Sequence, residues 1–175
     1  MKNLRSLILF IAAAVAVGIV YGLVHHLISY AISPEYFRLH LFGLFENLGP
    51  PDSDATSLFR LAVGSTWWVG LIVGGILAAI FWQFGSRSRF FAETTKAYLL
   101  TLGIAFGIGL LGLLLGWITA GDLAEIYRQG LVPPSTPLDD PRSFVAADYM
   151  HGTSYIGALV GLVVGIVFLL RRGRD

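Results

Sequence analysis

From Ser6 to Ala31 the chain carries no Asp, Glu, Lys or Arg. About 20 apolar residues cross the hydrocarbon core of a bilayer as a helix, so this run predicts a span over about residues 6–32. Ser33-Pro34 predicts its end, because the residue before proline is driven out of the helical region. The next stretch alternates Tyr36, Phe37, Leu39, Leu41, Phe42, Leu44 and Phe45 with Glu35, Arg38, His40 and Glu46. That mixture predicts a short interfacial helix or a capping hairpin, closed by the breakers Gly49-Pro50-Pro51-Asp52-Ser53-Asp54. Three further apolar runs predict spans over about 61–84, 97–120 and 149–170. Trp67, Trp68, Trp82 and Trp117 stand near their ends, where aromatic belts are expected. The segment between Gly121 and Asp148 contains Pro133, Pro134, Pro137 and Pro141 and reads as irregular, apart from a helical turn or two around Asp122 to Gln129.

Charge fixes an expected orientation. Lys2, Arg5, Arg87, Arg89, Lys96, Arg171, Arg172 and Arg174 fall on one side of this layout, eight of the 12 basic residues, with only Glu93 and Asp175 acidic beside them. The positive-inside rule then predicts cytoplasmic termini and long loops facing outward. The expected fold is all-α, a single four-helix transmembrane bundle, N-in and C-in, in a bacterial cytoplasmic (inner) membrane, with a short extracytoplasmic element after the first helix. A signal peptide is the competing reading of the N-terminus, since Lys2 and Arg5 precede an apolar core and Ala14-Val15-Ala16 resembles a cleavage site. Apolar character runs well past Ala16, which favours an uncleaved first helix.

Composition agrees with a membrane protein and narrows the chemistry. Mean hydropathy is +0.73, with 55% hydrophobic and 13% charged residues among 175. The absence of cysteine excludes disulfides, thiolate metal sites and iron-sulfur clusters. Lys and Arg flank apolar runs instead of interleaving with aromatics, so no nucleic-acid partner is expected.

Between helices in lipid the contacts are close van der Waals ones, and small residues four apart mark the touching faces. Gly18 and Gly22, Gly70 and Gly74, Gly103 and Gly107, Gly112 and Gly116, and Gly157, Gly161 and Gly165 are such stripes. Steps of three and four from Gly22 reach His25 and Ser29, and His151, Ser154, Ala158 and Gly161 share one stripe. His25 and His151 are therefore expected to face inward at the same outer level. Ionisable groups at membrane depth are costly and tend to mark function. The plainer alternative makes both rings core residues hydrogen-bonded to Ser29, Ser154 or Thr66.

The segments His25-His26-Leu27-Ile28-Ser29-Tyr30 with Glu35-Tyr36-Phe37, then Thr66-Trp67-Trp68-Val69-Gly70, then His151-x-x-Ser154-Tyr155 carry a family likeness. In order and spacing the chain resembles uncharacterised bacterial four-helix integral membrane proteins with H-D-Q, E-Y-F, T-W-W-V-G and H-x-x-S-Y motifs. It departs from them at His26 and Leu27, where the family has Asp and Gln, so any role of that Asp, such as orienting the neighbouring histidine, carries over only if His26 or Glu35 fills it. The resemblance implies the four-helix topology and no assigned activity. It also implies one outward-facing site, because all three segments map to the outer ends of helices.

The expected site is a metal or small-ligand site of His25, His151 and Glu35, with His26 or His40 as further ligands. Ser29, Ser154, Tyr155, Trp67 and Trp68 are candidate ligand contacts. Imidazole with carboxylate suits a divalent metal such as zinc, iron or copper, and two histidines on facing helices could serve as haem axial ligands. A different class of function is a non-enzymatic subunit that packs against a membrane partner or its own copy through glycine-lined faces. Transport or lipid handling ranks below both, because Pro34 breaks its helix at the border and not at mid-membrane. No Gly-x-Ser-x-Gly elbow points to a hydrolase.

Overall fold

In the computed structural model, residues 4–44, 53–84, 88–133 and 136–173 are described. Helix α1 spans Leu4–Ile32, α2 is a single turn over Pro34–Tyr36 that runs on as a π-helical turn over Phe37–Leu41, and three long helices follow: α3, Asp54–Phe84, α4, Phe90–Leu131, and α5, Pro141–Gly173. Four of these helices are long and apolar enough to cross a membrane, which supports a multi-pass membrane protein in contact with lipid. At 1.5 Å per residue the 29 residues of α1 reach about 44 Å.

The break after α1 follows the expected chemistry. Ser33 caps the next turn, its Oγ accepting from the Tyr36 backbone N–H at 3.2 Å, and Pro34 occupies the first helical position, where a missing N–H costs nothing. The breakers at 49–52 and the residues Gly85, Ser86 and Arg87 lie outside the described residues.

The helices run further than the apolar pattern indicates. The third apolar stretch able to cross a membrane does end at Ala120, but its helix α4 runs on to Leu131, since no proline interrupts it before Pro133. The segment expected to be irregular is therefore largely helical. The fourth begins at Pro141 and not at Tyr149. Asp140 caps it, its Oδ1 accepting from the Ser143 N–H at 3.2 Å. The second begins at Asp54, where Ser53 Oγ accepts from the Thr56 N–H at 3.3 Å.

The bundle is built from two tight antiparallel pairs, α4 with α5 and α1 with α3, which touch each other less extensively. Glycines set both pairs. A Cβ on Gly161 would stand 2.6 Å from the Thr101 carbonyl oxygen, one on Gly157 2.8 Å from Ala105 Cα, and one on Gly70 2.8 Å from the Ala14 carbonyl oxygen. Gly22 lies directly against Thr66. Gly103 and Gly107 are a correction to the expected packing: both face open space, and α4 meets α5 through Gly109, Gly112 and Gly116 instead. Two hydroxyls stitch helices together, Tyr98 donating to the Ala14 carbonyl at 2.7 Å and Thr101 to the Gly161 carbonyl at 3.1 Å.

The apolar core is divided. One cluster, around Phe10, Leu77, Phe81, Phe90 and Leu169, fills the end where α1 begins and α5 finishes. The other, around Tyr36, Phe37, Leu41, Leu61 and Phe144, fills the opposite end. The histidines sit just beneath the second.

Candidate functional site

His25 and His26 occupy adjacent positions near the end of α1, and His151 comes from α5. All three are buried. The ring centres of His25 and His151 are 4.7 Å apart, those of His26 and His151 5.4 Å, and those of His25 and His26 5.7 Å. Three imidazoles from two helices thus form one cluster.

Their hydrogen bonding is incomplete. His151 Nδ1 lies 2.9 Å from the Ala147 carbonyl oxygen, and since a carbonyl only accepts, Nδ1 carries the proton and Nε2 of the neutral ring presents a lone pair. Nε2 is buried and has no partner. His25 Nδ1 and His26 Nδ1 are likewise buried without partners; the latter points toward the Gly22 carbonyl one turn back without making a hydrogen bond. Buried polar atoms are nearly always satisfied, and each exception calls for a physical reason.

A lid of aromatic side chains covers the cluster. Tyr36 and Phe37 stand 5.4 Å and 5.7 Å, ring to ring, from His151, and Phe37 is 6.0 Å from His26. The Tyr36 hydroxyl donates to Asp148 Oδ1 at 3.2 Å. Burial pushes this phenol above its ordinary pKa, and the neighbouring Asp148 carboxylate adds to the effect.

On the other side of the cluster a cavity of about 80 Å³ opens between the helix pairs, reaching from His25, His26 and His151 past Tyr21, Thr66 and Ser154 toward Tyr98. It exceeds the roughly 10–15 Å³ that one water requires. Tyr21 stacks on His25 with ring centres 5.9 Å apart, and its buried hydroxyl approaches Ser154 without reaching good hydrogen-bond geometry.

The other sequence candidates have different places. The carboxylate of Glu35 turns away to the start of α5, accepting from the backbone N–H groups of Asp139 at 2.8 Å and Asp140 at 3.3 Å. His40 Nδ1 donates to the Leu131 carbonyl at 3.2 Å, at the end of α4. Ser29 is fully buried but donates to the His25 backbone carbonyl at 2.9 Å, and Ser154, which lines the cavity, donates to the Met150 carbonyl at 2.7 Å. Trp67 and Trp68 face outward from α3, 46% and 44% exposed, and Tyr155 borders the cavity at 59% exposure. Among the described residues, no three His, Cys, Asp or Glu side chains converge at metal-coordinating distances as they stand. The sequence reading brought in Glu35 and passed over Tyr21 and Asp148. Tyr21 carried a signal, since it lies one helical turn before His25 on the same face.

No family model, curated protein or solved structure matches this chain. The likeness to four-helix membrane proteins rests on the three motifs alone.

Glu35 acts here as a strap between the lid and α5. Glu35→Ala is expected to weaken the protection of the Asp139 and Asp140 amides about five-fold in hydrogen exchange, corresponding to about 1 kcal/mol. Unchanged exchange would mean that the carboxylate does not make this strap.

Proposed function

We propose that this protein holds a divalent transition-metal ion between His25, His26 and His151 in the outer half of a cytoplasmic membrane, with both termini cytoplasmic. The observation that carries the reading is that each of the three clustered rings keeps one buried nitrogen without a partner. Neutral imidazoles are favoured ligands for zinc, copper, nickel and iron. His151 has the arrangement common to metal-bound histidine, one ring nitrogen tied to a backbone carbonyl and the other free. Because the three rings do not converge on a common point as they stand, binding at the roughly 2.0–2.1 Å of a zinc–imidazole bond requires them to reorient. The adjoining cavity would leave a coordination position for a small ligand.

Haem fits less well. Axial ligands must face one another across a porphyrin, whereas His25 and His151 meet edge to face at 4.7 Å beside a cavity of about 80 Å³. The orientation is supported by the basic residues gathered at the end holding the termini. The alternative of a purely packing subunit loses much of its surface, because the other glycine stripes named above are filled within the chain and Gly103 and Gly107 remain open.

Metal titration of the detergent-purified chain tests the reading. Cobalt(II) is expected to bind once per chain and give visible absorption, displaced by zinc. His25→Ala and His26→Ala are each expected to lower affinity at least a hundred-fold, while Tyr155→Phe leaves it unchanged. Binding that all variants retain equally would defeat the proposal, as would no binding by the unaltered protein.

A further inference from the structure

At the opposite end of the bundle, the lipid-facing surface between α4 and α5 carries a groove of about 440 Å³. Its walls are Leu100, Val164, Val167 and Phe168, and Arg171 and Arg172 stand at its mouth. From Val164 to Arg172 the helix rises about 12 Å, the depth of the upper part of an acyl chain. In a bilayer an apolar groove at this depth is filled by lipid hydrocarbon, so the informative feature is what surrounds the headgroup.

That surrounding is basic. Arg89, Lys96 and Arg172 gather near one acid, Glu93, which Lys96 holds at 2.9 Å with Arg172 3.9 Å away, and Arg171 joins Arg172 at the groove. Among the described residues Arg171 has no acidic partner. The Arg172 guanidinium lies over the Phe168 ring, 5.6 Å from its centre, which keeps it at the groove wall. A guanidinium fork matches phosphate oxygens in pairs, and basic pockets between membrane helices at the headgroup level select anionic lipid.

The geometry points to a binding site for an anionic phospholipid, one acyl chain in the groove and the phosphate between Arg171 and Arg172. The site is independent of the histidine cluster and of any metal there. Native mass spectrometry of the full chain with phosphatidylglycerol and phosphatidylcholine of matched chain length, mixed in equal amounts, tests it. The expected result is a five- to ten-fold preference for phosphatidylglycerol, falling within two-fold in Arg171→Gln/Arg172→Gln. Leu100→Trp, which fills the groove from an exposed position, should lower retention of both lipids several-fold. Glycerol phosphate at the same concentration should displace neither. Equal retention of the two lipids by the unaltered chain would overturn the proposal, as would a preference that survives in the glutamine variant. Displacement by glycerol phosphate would instead indicate a site for soluble phosphate and would overturn it too.

Discussion

Gly161→Leu is expected to destabilise the protein by about 2–3 kcal/mol, near the upper end of the usual cost of overpacking. The added Cβ would stand 2.6 Å from the carbonyl oxygen and 3.0 Å from the Cα of Thr101. Both are backbone atoms of the facing helix, so no side chain can swing aside to relieve the clash. Separating α4 from α5 would also break the hydrogen bond from the Thr101 hydroxyl to the Gly161 carbonyl. Gly107→Leu supplies the control: a Cβ at that position on α4 meets nothing within 4 Å, and the change is expected to stay within about 0.5 kcal/mol. Reversible denaturation in mixed micelles compares the two. Equal stability would mean that the α4–α5 approach is not the close contact described.

His151→Leu is expected to separate stability from binding. In the metal-free protein a buried nitrogen without a partner is a liability, and replacing a polar group by an apolar one of similar size can be neutral or favourable. The variant should unfold at or up to about 1 kcal/mol above the unaltered chain. Added metal should then reverse the order. Bound at a hundred times its dissociation constant, a ligand stabilises the folded state by about 2.7 kcal/mol, which the unaltered protein should gain and the variant should not. A loss of 2 kcal/mol or more without metal would instead make His151 an ordinary core residue held by its bond to Ala147. A metal shift that persists in the variant would remove His151 from the site.

The long apolar runs made the four spans legible, because no other arrangement buries 20 consecutive residues of that kind. Their ends were less so. Asp140-Pro141 is a helix-start signature, a capping side chain followed by proline at the first position, but four prolines nearby made the segment look irregular beyond a helical turn or two around Asp122 to Gln129. At the other end of that segment, nothing between Ala120 and Leu131 forbids a helix, and lower hydropathy alone does not end one. Helical periodicity placed His25 and His151 on inward stripes, and the two rings do meet. It could not place Glu35, because the direction of a side chain after a proline break depends on the turn geometry. Here the Ser33 cap and Pro34 send the carboxylate to α5 and bring Tyr36 and Phe37 over the histidines. Spacing also could not show that Gly103 and Gly107 face open space while Gly109 makes the contact, since α4 carries glycines on more than one face.

The pairing of α1 with α3 and α4 with α5 bears on how the molecule is made. Each pair is a hairpin of neighbouring spans, so each can insert as a unit during synthesis. Two of the imidazoles travel with the first hairpin and the third with the second. They come together only once the two hairpins have docked, so the three-ring cluster exists only in the completed assembly, and an orphaned half would carry at most two of its rings.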